Sequence, residues 1–526
     1  MSHDSFLSRK TRFLSGLIFV FLTMLLVACG GGSNTQTPSQ SKYGGDIKVG
    51  LNSDLVTLDP VKSTALVERQ VMLNMYDTLT KISPENKVLP NLATSWNYKS
   101  PTDLVFTLRT DVKFHDGTPF NADAVVFNIK RILSTPSSPR FSELAAVQDV
   151  KAVDASHAEF LLKRPFSPLL ATLTDRSGMM LSPTAVQKLG TKLDNGPVGA
   201  GSGPFAFVEW VKTDHLSLKR NDHYWQKDAQ GNQLPFLKSI RYRPITNGTV
   251  MFNNLETGSI DVSDSLDPNS VATAKANPDL VYKQAPGLSF FGIMLNTKAP
   301  PLDNVHVRRA IAWGINRQEI LSNVFKDIGV LSQGPIPPSS WAYKSDFAPF
   351  SYDVNKAKDE LSQSGLSNVS FTMLTTSNSP TAAQQAQLIQ SQLKAVGITV
   401  NIKQETFPTQ LVDTQNHDFQ AAVQGWSGRP DPDGNIYSWF HTGGGNNNMQ
   451  YSNTQVDQLL DDARTTDDQA KRTTDYQQAA TQFVQDAPYV FIYHGVVIQS
   501  STTKIKNFVL SPTGIMDFSS VTYSAT

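Results

Sequence analysis

One cysteine in 526 residues leaves no disulfide framework and no Cys-rich zinc or iron–sulfur site. An excess of charge of one sign is lacking as well. The chain has 46 Lys and Arg against 46 Asp and Glu, so no basic surplus points to nucleic acid. Nine histidines are scattered with no i, i+4 pair, and His215 and His223, which a hairpin could bring together, have no third ligand nearby. No P-loop, G-x-S-x-G elbow or H-E-x-x-H pair occurs, which removes the sequence trace of those three chemistries. Beyond residue 27 no apolar run approaches the 20 or so residues that span a bilayer. Neither a catalytic residue, a cofactor nor a metal site is expected. What remains is an ordinary globular composition, 39% apolar, in a chain long enough for two to four domains.

The first residues have their own pattern. Arg9, Lys10 and Arg12 precede Phe13–Val27, an almost wholly apolar stretch. It is short for a membrane span and suits the core of a signal peptide. The stretch ends Leu26-Val27-Ala28-Cys29-Gly30, with the chain's one cysteine directly after small residues. This resembles a bacterial lipobox, with residues 1–28 removed and Cys29 lipidated. The alternative is an ordinary secretory signal with an incidental cysteine. Residues 29–42, rich in Gly, Ser, Thr and Gln, read as a flexible tether. The expected mature protein is an extracytoplasmic body held at the cell membrane by its lipid.

Periodicity gives the rest of the chain a mixed α/β character. Ile47, Val49 and Leu51 alternate as a strand, 66–80 reads as a helix, and 103–115 reads as two short strands around Arg109–Asp111. Asn121 caps a helix with an apolar stripe from Val125 to Leu133. Phe205–Trp210 and His215–Lys219 are strands. From about residue 286 come an apolar strand, Phe290–Leu295, and one amphipathic helix expected over Val305–Val324. Helices at Asp353–Gly365 and Thr381–Gly397 each end at a glycine. The strand at Ile398–Ile402 then suggests a parallel strand–helix–strand unit.

One constellation stands out: Gly425-Trp426-Ser427-Gly428-Arg429-Pro430-Asp431-Pro432-Asp433-Gly434-Asn435, after a strand-like run at Phe419–Gln424. Glycines allow close approach, the indole offers a flat face, and the guanidinium offers a fork for a carboxylate. Arg429 either grips a ligand or braces the loop by pairing with Asp431 or Asp433. Those two aspartates either share a proton for acid–base work or cap loop N–H groups.

Ordered motifs then carry a resemblance. They include Leu58-Asp59-Pro60, Tyr76-Asp77-Thr78-Leu79, Leu92 to Trp96, Val112 to Pro119, Gly201 to Phe205, Asn221 to Trp225, Leu255 to Asp261 and Val307 to Ile311. Their succession over about residues 45–520 resembles the dipeptide/oligopeptide/nickel family of solute-binding proteins that serve ABC importers, extracellular solute-binding protein family 5. The resemblance implies an α/β clam-shell of the periplasmic-binding-protein type II, its two lobes joined by a two-strand hinge. It implies lobe I from 43–80, 200–285 and 499–526, an extra subdomain at 81–199 inserted in lobe I, and lobe II from 286–498. Expected partners are a small peptide or peptide-like carboxylate, a membrane permease with its ATPase subunits, and the membrane through Cys29. A monomer is expected, and no nucleic acid.

Dipeptide-type members carry an aspartate after Gly-Trp for the ligand's amino terminus, and an arginine in the segment matching Thr376–Pro380. Here Arg429 stands in the first place and the second is uncharged. The loop looks more like the glutathione-type branch. Arg429 is therefore expected on a ligand carboxylate and Trp426 on the ligand's body. Gly425, Ser427, Asp431, Tyr76 and Asn378 complete the expected ligand-binding set. Alternatives are a nickel or metal-chelate binder of the same fold, an extracytoplasmic hydrolase, and a sensor that presents its ligand to a receptor.

Overall fold

The computed structural model describes residues 42–524 apart from Ala348; the leader, Cys29 and the tether through Ser41 lie outside the described residues. Buried Ile47, Val49 and Leu51 make Asp46–Leu51 the inner strand of a seven-stranded sheet. It runs parallel to Ser239–Pro244 on one side and Val262–Ser263 on the other. His215–Arg220 and Phe205–Val211 extend one edge antiparallel, Val496–Thr502 and Leu280–Pro286 the other. Phe508, Met516 and Phe518 from the chain's end pack into the same core as Val49 and Tyr242.

A six-stranded sheet forms the second lobe, in the order Val330–Leu331, Tyr489–His494, Phe290–Leu295, Ala421–Trp426, Ser370–Thr376, Thr399–Glu405. Its last three strands run parallel, and Pro380–Val396 connects Ser370–Thr376 to Thr399–Glu405. This is the strand–helix–strand unit that the sequence suggests. Gly397, at φ +103°, supplies the left-handed cap that ends the helix. A third, antiparallel sheet of four strands lies within residues 93–162. The helix Ala122–Leu133 packs on it through Val125, Ile129 and Ile132, and its Asn121 cap accepts the Ala124 N–H at 3.0 Å.

Two strands cross between the large sheets. Leu280–Pro286 pairs with Val496–Thr502 in the first, and the same chains continue as Phe290–Leu295 and Tyr489–His494, paired in the second. At the crossing the Gly287 N–H donates to the Gly495 carbonyl at 3.2 Å. A Cβ on Gly287 would lie 2.7 Å from that oxygen, and one on Gly495 would lie 2.6 Å from Ser289 Oγ. The two backbones touch there because neither residue has a side chain.

Three expected elements differ. The helix at 66–80 ends at Met72, because the Asn74 amide bonds the Gln70 and Met516 carbonyls at 2.9 and 2.8 Å. The next residues then leave the helix and pair with Gly203 and Phe205. The single helix over Val305–Val324 is two, Val305–Gly314 and Arg317–Phe325. Buried Arg317 takes the Ala312 and Ile315 carbonyls, and Asn316 caps the second helix through the Glu319 N–H. Only Asp103–Leu108 is a strand in 103–115; Val112 and Phe114 are buried on a turn that closes at Gly117.

Candidate functional site

Both lobes present the carboxyl ends of parallel strands to one crevice, the place where open α/β sheets receive ligands. Asn52 and Asp264 follow Asp46–Leu51 and Val262–Ser263 on the first lobe; Thr376 and Trp426 end their strands on the second. Between them lies a cavity of about 540 Å³, within the range of small-molecule sites. Its apolar wall includes Trp426, Trp439, Phe291, Tyr493, Phe325 and Phe407. Phe291 and Tyr493 stack with centroids 4.9 Å apart, and Trp426 meets Trp439 edge-on at 5.6 Å.

The polar lining is unevenly satisfied. Gln70 Oε1, Thr375 Oγ1, Gln424 Oε1 and Trp439 Nε1 are buried with no hydrogen-bond partner, a costly state unless a ligand or water completes it. Among the described residues that line the cavity, Asp264 and Asp267 are the charged ones; no Lys or Arg is present. Asp264 accepts the Asn52 N–H on both oxygens at 3.1 Å and the Ser265 hydroxyl at 2.9 Å. Burial pushes its carboxyl up to about 7 despite those bonds. Asp267 Oδ2 accepts the Thr381 hydroxyl at 2.6 Å across the crevice.

Arg429 stands outside this lining, behind Trp426. Its guanidinium lies over the Trp426 indole, 4.3 Å from the ring centroid, and its Nε reaches Asp175 Oδ2 at 2.8 Å. Asp175 also takes Arg69 Nη1 at 2.9 Å, with Arg176 Nη1 at 3.6 Å. Burial alone would raise the Asp175 carboxyl, but Arg429, Arg69, Arg176 and Arg140 hold it far below the usual carboxylate range. This buried pair joins the loop of the second lobe to the segment after the four-stranded sheet. Other contacts continue the seam: Ser167 N–H to the Arg464 carbonyl at 2.9 Å, the Gly445 N–H to Ser142 Oγ at 3.1 Å, and the pair Arg164–Asp461.

The loop is braced from within by Asn435, the last residue of the sequence constellation, to which the sequence assigns no role. Its Oδ1 accepts the Arg429 N–H at 2.7 Å and the Trp426 indole N–H at 3.2 Å, while its amide donates to the Arg429 carbonyl at 3.0 Å. Gly428, at φ +79°, lies against the Leu288 carbonyl at the strand crossing, where a Cβ would collide. Asp431 and Asp433 do not pair with Arg429. Asp431 accepts from Arg472 at 2.7 Å, and Asp433 makes a two-pronged pair with Arg464 at 2.7 and 2.8 Å.

Of the expected ligand-binding residues, Gly425, Trp426 and Ser427 line the cavity. Arg429, Asp431, Tyr76 and Asn378 stand outside its lining. Tyr76 is buried in the first lobe, donating its hydroxyl to the Leu58 carbonyl at 3.0 Å. Asn378 is exposed at φ +58°, on the turn before Pro380–Val396. His215 bonds Glu209 and Asp214 at 2.9 and 2.8 Å, with His223 elsewhere on the surface. Among the described residues no group of three His, Cys, Asp or Glu is set to hold a metal, and no helix is long and apolar enough to cross a membrane.

Two lobes, a two-strand crossing and a cleft between the lobes define a solute-binding protein of the periplasmic-binding-protein type II fold. Residues 87–447 match the model of the bacterial extracellular solute-binding proteins, family 5, and the chain belongs to that family, whose members serve ABC transporters. It is similar to the probable D,D-dipeptide-binding periplasmic protein DdpA of Escherichia coli K12, 29% identical over 88% of this chain and 91% of the relative. It is also similar to the glutathione-binding protein GsiB of Pectobacterium atrosepticum, 28% identical over 90% and 93%. Among solved structures it resembles the Helicobacter pylori periplasmic binding protein DppA in complex with the peptide STSA. That match has a TM-score of 0.84 and 25% identity, covering 92% of this chain and 99% of the other.

Proposed function

We propose that this protein captures a small peptide or peptide-like molecule between its lobes and hands it unchanged to the permease and ATPase subunits of an ABC importer. In this reading it sits outside the cytoplasm, anchored by lipid on Cys29. The observation that carries the proposal is the aromatic cleft of about 540 Å³ with unpartnered buried polar groups, spanned by strands that touch through Gly287 and Gly495. Such a crossing suits hinge closure over a ligand. Relatives named for peptides and for glutathione support the ligand class.

Gly425, Trp426 and Ser427 supply part of the cleft wall. Arg429 acts at one remove, closing the lobes through Asp175. A micromolar complex needs about 8 kcal/mol; burying the aromatic walls against a ligand, at roughly 25 cal/mol per Å², accounts for more of that than any single polar bond. The test is to purify the full chain in detergent and identify by mass spectrometry what leaves it on denaturation. A peptide-like molecule near one per chain, recovered intact after long incubation, is the expected result. No bound molecule, with no stabilisation by peptide mixtures, would overturn the proposal. Cys29→Ser should move the protein from the membrane to the soluble fraction.

A further inference from the structure

We infer that the electrostatic anchor of the ligand is a cation: an amine of the ligand sits against Asp264, and the cleft favours amine-bearing peptides without a free acidic group over their anionic counterparts. This rests on the peptide reading above and deepens it.

The charges of the cleft point one way. Among the described residues, its lining holds two carboxylates and no Lys or Arg. A ligand carboxylate there would be buried with no cation to meet it, an expensive arrangement. Arg429, on the cleft loop, stands outside that lining: its Nε is held by Asp175 at 2.8 Å and its Nη1 by the Gly428 carbonyl at 2.8 Å, while Nη2 is buried without a partner. Asp264 lies just past a strand end, 8% exposed. An ionised carboxylate offers about four acceptor positions, and Asp264 fills only part of them, with the Asn52 N–H and the Ser265 hydroxyl. It makes no ion pair among the described residues. Two fully buried groups of the same lining, Gln70 Oε1 on the first lobe and Thr375 Oγ1 on the second, also lack partners, and Gln70 Oε1 is a further acceptor for an N–H. The aromatic wall adds favourable faces for an ammonium. Burial, which pushes the Asp264 carboxyl up to about 7, would be countered by that ammonium.

The test offers the full chain an equimolar pool of dipeptides and tripeptides in three forms: free, C-terminally amidated and N-acetylated. Native mass spectrometry weighs what is bound. Amidated forms should exceed N-acetylated ones at least tenfold, and Asp264→Asn should cut that preference below threefold. As a check on the unaltered protein, affinity for the best amide should fall with added salt more steeply in wild type than in Asp264→Asn. Preference for the N-acetylated acids, or an amide preference that Asp264→Asn leaves intact, would overturn the inference and leave the peptide reading standing. Binding of no peptide form at all would overturn that reading and the inference together.

Discussion

Trp426 and Arg429 are three residues apart on one loop, and they face opposite kinds of environment. Around Arg429 the protein gathers four guanidiniums on Asp175, with Glu143 against Arg140 at 2.7 Å. The other face of Trp426 belongs to a cleft whose lining, among the described residues, includes no guanidinium and is walled by aromatic rings and buried polar atoms without partners. The seam is a cluster of guanidiniums around Asp175 and Glu143, with more buried N–H groups than those carboxylates can take, Arg429 Nη2 and Arg140 Nη2 among them; the cleft is lined by two carboxylates and by neutral polar atoms without partners. The contrast separates two tasks that one arginine on a binding loop would otherwise be expected to combine. In the proposed reading, charge at the seam holds the lobes together, and recognition falls to shape, aromatic faces, a few neutral polar groups and the Asp264 carboxylate.

Removing Asp175 should break the comparison hardest. Asp175→Asn strips one carboxylate from four buried guanidiniums, and breaking such a pair from one side costs about 3–5 kcal/mol. Urea unfolding should register that loss, with weaker binding of the co-purifying ligand. The Asp175 carboxyl is held below the ordinary range by those arginines. Its stabilisation is therefore present above the ordinary carboxylate pKa and persists down to about pH 4, being lost only in stronger acid.

Asp264 should behave in the opposite sense. Its carboxyl is pushed up to about 7 by burial, so the folded protein holds that proton more tightly than the unfolded chain does. The resulting stability is present below about pH 4 and lost as pH rises through 7. In ligand-free protein, wild type relative to Asp264→Asn should lose about 2–4 kcal/mol between pH 4 and 8; equal pH slopes would contradict the burial argument.

Smaller effects sharpen the cleft side. Thr375→Val keeps the shape and removes an unpartnered hydroxyl, so ligand affinity should fall by about 1 kcal/mol with unfolding little changed. Smallest is Tyr76→Phe, which loses the bond to the Leu58 carbonyl. Stability should drop by about 1 kcal/mol or less and affinity should stay as it is. A large affinity loss there would place Tyr76 at the ligand after all.

Local patterns were readable where local forces decide. The Asn121 cap, the glycine after Val396 and the alternation at Ile47–Leu51 needed no partner from far away. Phe290–Leu295 was read with the bounds it has. The departures come from distant partners. Asn74 ends its helix because Met516, at the far end of the chain, supplies an acceptor, and Arg317 breaks a helix by taking carbonyls from its neighbour and from Phe350 and Phe491. In the site, strand, glycines and indole were legible as a binding loop. The partner of Arg429 was not, since Asp175 lies in a distant segment with no motif of its own, while Asp431 and Asp433 stood nearby as decoys. They already belonged to Arg472 and Arg464 on helices whose packing only the fold reveals.

The proposed role of Arg429 is to hold the cleft closed through Asp175 without touching the ligand. A double-mutant cycle on ligand affinity tests it most directly, with Arg429→Met, Asp175→Asn and the pair measured by calorimetry against the co-purifying ligand. The account expects strong coupling: once Asp175 is gone, replacing Arg429 should weaken binding little further. Equal losses from Arg429→Met in both backgrounds would contradict it and put the guanidinium on the ligand.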